Sequence, residues 1–553
     1  MFLKRILSIL LLSFPVALSA QQYMSWACSV GEANNEYPSN IVIDAAGNTY
    51  ETGVFTNTID ADPGPGVYNL VSNGANDIYV IKYDPAGGLL WAFSIGGTGS
   101  DGASIALDAT GNPVIAGNVY GTVDFDPGGG VFNLSTVGGS SDIFVAKYTA
   151  AGALSWAVIT GGTSDEGASD VTLDASGNIL ITGSFSGFNT DFNPGAGVFL
   201  MSPGGLYDEY VLKLNSSGAF SWAKQCLGSA TSWSTAYSIY TDISGNVFTT
   251  GSFNSTVDFN TGAGVLNFTA QGYMDGFLKK LDASGNFVWA KQIVSSSNID
   301  FGRSVVADAG GNVFVTGLFE GLVDFDPGPG TVNISPNGPN DVFVTKYNSA
   351  GNLTWVKILS GPAYAACYDI DIDPSGSYVT VAGDFLGDCD FDPGAGDYTL
   401  NSGTFNSGYI CRLTSGGGFI WAGAFTGASN TYCNSVTTDA CNNLSISGGF
   451  GTTLDAEPGS NSNMLTSAGN TDVFNLKLSQ SYWTGNVSTD WHDPLNWECS
   501  TVPGIQSNVV IPTVVPRYPL LSLNTAVKSV FVQPAASIHV EPGVQMMING
   551  HGN

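Results

Sequence analysis

Two aspartates one residue apart, followed by Pro-Gly, are the first residues in this chain whose types and spacing could do chemistry. VDFDPGPG spans residues 323–330, and variants recur as IDADPGPG at 59, VDFDPGGG at 123, TDFNPGAG at 190, VDFNTGAG at 257, CDFDPGAG at 389 and LDAEPGSN at 454. Paired carboxylates on a tight loop could hold calcium, which takes six to eight oxygen ligands. The calcium candidates are Asp124 with Asp126, Asp324 with Asp326, and Asp390 with Asp392. Each copy offers two carboxylates at most, and the second decays to Asn193, Asn260 and Glu457 while Gly persists in all seven copies. A turn accounts for that pattern: Pro fixes φ, Gly takes positive φ, and the Asp side chain caps local amides. The expectation is no cofactor, with calcium as the alternative.

Other chemistry is sparse. The only histidines are His492, His539 and His551, all near the C-terminal end. Up to residue 480 this excludes Ser-His-Asp and Cys-His catalysis and His-ligated metals. GGTGSDG at 96–102 lacks the Lys-Ser/Thr of a phosphate loop. The eight Cys contain no C-x-x-C pair, and five lie between 367 and 441, where disulfides are expected. A formal charge of −30 makes nucleic acid and anionic membrane surfaces poor partners. Aromatics remain. Trp233, Tyr237, Phe301, Tyr364 and Tyr432 fall in variable stretches rich in Ser, Asn and Asp, a composition that suits glycan or protein binding.

What must position these residues is a repeat. Trp26, Trp91, Trp156, Trp222, Trp289, Trp355 and Trp421 are 65 to 67 residues apart. Lys82, Lys147, Lys213, Lys280, Lys346 and Arg412 each precede a Trp by nine residues. D-x-x-G-N or a near form opens at Asp44, Asp108, Asp174, Asp242, Asp308, Asp373 and Asp439. Each unit reads as four short alternating strands, and seven such units are the sequence form of an all-β, seven-bladed β-propeller. A parallel solenoid has shorter repeats without this internal grammar. The first Trp strand, YMSWACSV, has no partner unit before it, and DVFNLKLS at 472–479 is followed by no Trp strand. Pairing the two closes the ring and removes open sheet edges. The acidic turns and the variable stretches after each Trp belong to one face, and the D-x-x-G-N turns to the other.

The unit GTVDFDPG followed by G-x-x-D-x-F/Y-V-x-K-Y-x-x-x-G-x-x-x-W resembles the β-propeller repeat family of secreted bacterial proteins, over roughly residues 23–479. That resemblance implies fold more than activity. The segment YWTGNVSTDWHDPLNWECSTVPGIQSNVVIP resembles part of Bacteroidetes surface proteins, where it leads into short β-helical coils. A sorting domain for type IX secretion often follows in such proteins. The expected domains are a signal peptide at 1–20, the propeller at 21–480 and a β-rich tail at 481–553. No further run approaches the ~20 apolar residues of a membrane span. The function expected is a secreted or cell-surface binding or scaffold protein, its ligand a glycan or another surface protein. The alternatives are a polysaccharide-active enzyme using carboxylates on the loop face and an architectural module of a larger adhesin.

Overall fold

The computed structural model describes residues 23–548 apart from 100, 296–299, 327, 329, 459–461, 501, 505–506 and 534. The expected signal peptide, His551 and parts of two acidic turns lie outside the described residues. The fold is all-β. Among the described residues, six four-stranded antiparallel sheets and one six-stranded sheet follow the repeat, and they are numbered here as blades 1–7 in chain order. Blade 1 is Glu36–Ile43, Thr49–Phe55, Asp77–Tyr83 and Leu89–Ile95, paired in that order from the channel outward. In blade 7 the outer strand is the N-terminal Tyr23–Val30, which pairs with Asp472–Ser479. Trp26 stands opposite Lys477, the register in which Lys82 meets Trp91 in blade 1. Among the described residues no sheet closes on itself. Blades 1 and 7 are joined by a backbone bond, Glu36 N to Thr471 O at 2.9 Å, and by side chains: Asn434 Nδ2 donates to Ser39 O at 2.7 Å and Asn475 Nδ2 to Glu51 Oε2 at 2.7 Å.

The three repeat markers prove to be one device between neighbouring blades. In six of the seven blades the outer-strand Trp packs on the Gly of the next blade's last turn, which has φ near +80° (Trp91 on Gly152, Trp289 on Gly351); Trp421 of blade 6 has no such turn to meet. Trp91 Nε1 and Lys82 Nζ both donate to Ala150 O of that turn, at 3.2 and 3.0 Å. In blade 2, Lys147 also pairs with Asp108 of the D-x-x-G-N turn at 2.8 Å. Aspartate is needed there because its carboxylate caps the amides of Thr110 and Asn112.

The tail changes sheet type. Ser481–Tyr482, Asn508–Ile511 and Ser529–Val532 pair in parallel, over a small core of Trp483, Trp491 and Trp497. A disulfide, Cys441–Cys499, ties it to the turn between blade 7's strands Thr431–Thr438 and Leu444–Phe450, with Cα atoms 5.6 Å apart. This corrects the expectation of bridges among the five Cys from 367 to 441. Cys367, Cys389, Cys411 and Cys433 are buried thiols. They occupy apolar strand positions and pack as small hydrophobes.

Candidate functional site at the channel mouth

The acidic turns form short hairpins, and their first Asp is committed to the backbone. Asp124 Oδ1 accepts from Asp126 N at 3.1 Å and Phe132 N at 2.8 Å, and Asp126 Oδ1 accepts from Gly128 N at 2.9 Å. Asp324 with Asp326 and Asp390 with Asp392 repeat the same bonds. The described glycines of these turns do not adopt the positive φ expected of them; a Cβ on Gly130 would instead meet Asp126 Oδ2, and the carboxylate would have to shift out of its capping position. These bonds fit the turn reading. Among the described residues, no three His, Cys, Asp or Glu side chains gather as a metal-ligand set.

The central channel is built by the inner strands. In six of the seven, the pairing shifts by one residue at the same place. The extra residue is Ser39, Ser169, Tyr237, Arg303, Tyr368 or Asn434. A bulge leaves its extra residue unpaired and re-aims the side chain, and all six line one cavity of about 270 Å³ in the channel. The next residue in each strand forms a belt. Asp170 accepts from Ser104 Oγ at 2.9 Å and Ile239 N at 3.0 Å. Asp369 accepts from Ser304 Oγ and Ser435 Oγ, both at 2.9 Å, and from Val436 N at 3.0 Å. Burial pushes the Asp170 carboxyl up to about 6 and raises that of Asp369 as well.

Above the belt, three consecutive blades place Tyr237, Arg303 and Tyr368 side by side. The Arg303 guanidinium lies 5.4 Å from the Tyr237 ring centre and 5.7 Å from that of Tyr368, within cation–π range. Tyr237 meets Phe301 edge-on at 5.9 Å, and Tyr368 meets Tyr432 at 6.2 Å. Tyr364 and Tyr368 share Asp384, which also accepts from Asn406 Nδ2 at 2.6 Å. Burial lifts the Asp384 carboxyl to about 6 despite these donors.

Four of the five aromatic candidates therefore converge on this mouth. Their placement differs from the expectation of loops: Tyr237 and Tyr432 lie within inner strands, Phe301 begins one, and Tyr364 directly precedes one. Trp233 stays apart, its N–H and C=O engaged with Asn254. Arg303, Tyr368, Asp384 and the two belt aspartates were missed. Aligning the units five residues before each D-x-x-G-N Asp gives Ser39, Ala103, Ser169, Tyr237, Arg303, Tyr368 and Asn434. The run Tyr-Arg-Tyr stands out in that column.

Residues 482–551 match a family model described as "Domain of unknown function (DUF8693)". Over 527 residues the chain is 22% identical to the "Uncharacterized WD repeat-containing protein L264" of Acanthamoeba polyphaga mimivirus, covering 80% of this chain and 37% of that protein. The chain thus spans little more than a third of that curated relative. Among solved structures it is similar to the WD40 propeller domain of Doa1 (8% identity, TM-score 0.38, 83% of this chain and 98% of that one). It is also similar to the propeller domain of Myceliophteria thermophila Cps50 (Swd1), at 9% identity and TM-score 0.37, over 76% of this chain and 96% of that one. WD repeats form propellers, the architecture described above.

Proposed function

We propose that this chain is a secreted or cell-surface scaffold that binds another surface protein, or a glycan, at the channel mouth where its inner strands begin. The observation that carries this reading is Arg303 held between Tyr237 and Tyr368, each presented by a bulge on a separate blade. Rigid aromatics around an arginine are what binding surfaces concentrate, and a loop-bearing face on a fixed scaffold is where recognition is usually sited. Binding is favoured over polysaccharide cleavage because the Asp170 and Asp369 oxygens are held by the belt. Among the described residues no helix is long and apolar enough to cross a membrane.

The test uses the full chain, immobilised, against surface extract and a glycan array. A retained partner that is lost in both Arg303→Ala and Tyr368→Ala, with melting temperature within a few degrees of the parent, supports the site. Retention unchanged in both variants, or no retention by the parent, overturns it.

A further inference from the structure

Arg303 carries the only positive charge among the described residues that line the channel cavity. Ion pairs among the described residues are made by six lysines and His492, and Arg303 enters none of them. Its guanidinium meets the rings of Tyr237 and Tyr368, and among the described residues its N–H groups meet no acceptor. The side chain is partly exposed, so these donors are open to a ligand in the cavity. An unspent cation is unusual in a chain with 16 basic residues against 46 acidic ones. The acidic side chains of the channel are committed elsewhere. Asp170 takes donors from Ser104, Val171 and Ile239, and Asp369 from Ser304, Ile370, Ser435 and Val436. Asp384 accepts from Asn406.

The two tyrosine rings brace the guanidinium by cation–π contact and leave its N–H groups unused. A planar fork of free donors matches a carboxylate, which it can hold by two parallel bonds. A phosphate would bring more than one charge toward the two belt aspartates, whereas a carboxylate brings one. The rest of the lining selects the body of the ligand. Six serines and two asparagines line the cavity. The hydroxyls of Ser104, Ser304 and Ser435 are spent on the belt. Those of Ser39 and Ser169 have no partner among the described residues, and both stand on bulges, as Arg303 does. At about 270 Å³ the cavity lies at the small end of ligand pockets, which suits one ring rather than a run of peptide. Free hydroxyls around a single carboxylate-binding fork fit a polyhydroxylated ring that carries one carboxylate.

We infer that the channel mouth takes a sugar acid, a hexuronate unit of a glycan, with its carboxylate on the Arg303 fork and its ring hydroxyls on Ser39 and Ser169. This rests on the reading of the mouth as a binding site and names the ligand class. The probes are methyl β-glucuronide and methyl β-glucoside, which share the ring and differ in the carboxylate, and acetyl-aspartate amide, which carries a carboxylate on a peptide unit. Each is titrated against the full chain by ligand-observed NMR. The glucuronide is expected to bind at least about tenfold more tightly than the glucoside, the difference expected of a charge-assisted pair. Arg303→Gln, which keeps donors and removes the charge, is expected to erase that preference with the melting temperature within a few degrees of the parent. Ser169→Trp, at an exposed bulge position of the same cavity, is expected to block both sugars. No binding of the glucuronide, equal binding of the two sugars, a preference that survives Arg303→Gln, or tighter binding of acetyl-aspartate amide would each overturn the assignment. The reading of the mouth itself fails separately: a partner from surface extract that is lost in Arg303→Ala and Tyr368→Ala keeps the mouth as a binding site even where no sugar acid binds.

Discussion

At the scale of single residues, one buried ion pair departs from the repeat. Lys279 and Glu209 are fully buried between blades 3 and 4, 2.6 Å apart, with Cys226 Sγ 3.2 Å from the Lys279 Nζ. Breaking such a pair strands a charge, so Lys279→Met is expected to cost about 3–5 kcal/mol. The double variant Glu209→Leu, Lys279→Met should recover most of that loss in urea denaturation, because an apolar replacement of the whole pair is often neutral. The acidic turns make the opposite statement. Asp124, Asp324 and Asp390 cap two amides each, so adding calcium is expected to shift the melting temperature by less than a degree or so. A rise of several degrees would return these turns to the list of metal sites. Neither buried partner is legible from sequence, since Glu209 and Lys279 break the repeat at unrelated positions in different units. The caps are legible because Asp beside Pro-Gly favours a turn in which its carboxylate accepts from local amides.

At the scale of elements, the register of the N-terminal strand is the most exposed commitment. Tyr23–Val30 covers the edge of Asp472–Ser479 along its length. Removing residues 21–30 is expected to lower the melting temperature and to produce concentration-dependent oligomers on size exclusion, because the freed edge would pair with another chain. A monomeric, equally stable truncation would show that the bonds between blades 1 and 7 suffice. Strand count and order could be read from Trp, Lys and D-x-x-G-N because each marker has a defined mechanical duty at a blade boundary. The channel site was only partly readable. Its aromatics were visible as unusual residues, but the bulges that turn Tyr237, Arg303 and Tyr368 inward depend on pairing with the next strand, which spacing alone does not report.

At the scale of the molecule, acidity and burial set the pH response. Burial raises Glu51 and Glu166 to about 7, Asp371 to about 7 and Glu36 to about 8. A carboxyl raised on folding favours the native state while protonated, and that contribution is lost as pH climbs through the folded value. Opposing this, burial disfavours the charge on Asp108 and Asp174, but hydrogen bonds led by Lys147 and Lys213 hold both below the usual range. Their contribution is present above about pH 4 and lost below it. The melting temperature is therefore expected to peak between about pH 4.5 and 6 and to fall toward pH 8. Glu51→Gln, at a site between blades 1 and 7, should flatten the alkaline side of that profile. A melting temperature still rising from pH 6 to pH 8 would contradict this account.

The same molecule can be considered under tension. A pull between residue 23 and residues beyond 499 enters blade 7 from both sides. The disulfide joins Cys441 to Cys499 across 58 residues, so the load bypasses the stretch between them and two of the blade's strands cannot be drawn out from the C-terminal side. The strand Tyr23–Val30 has no such shunt. It lies antiparallel to its neighbour with Tyr23 opposite Ser479, so force applied at Tyr23 breaks one pair at a time rather than all together. The ring therefore yields first at its N-terminal clasp and at low force, while the tail stays attached.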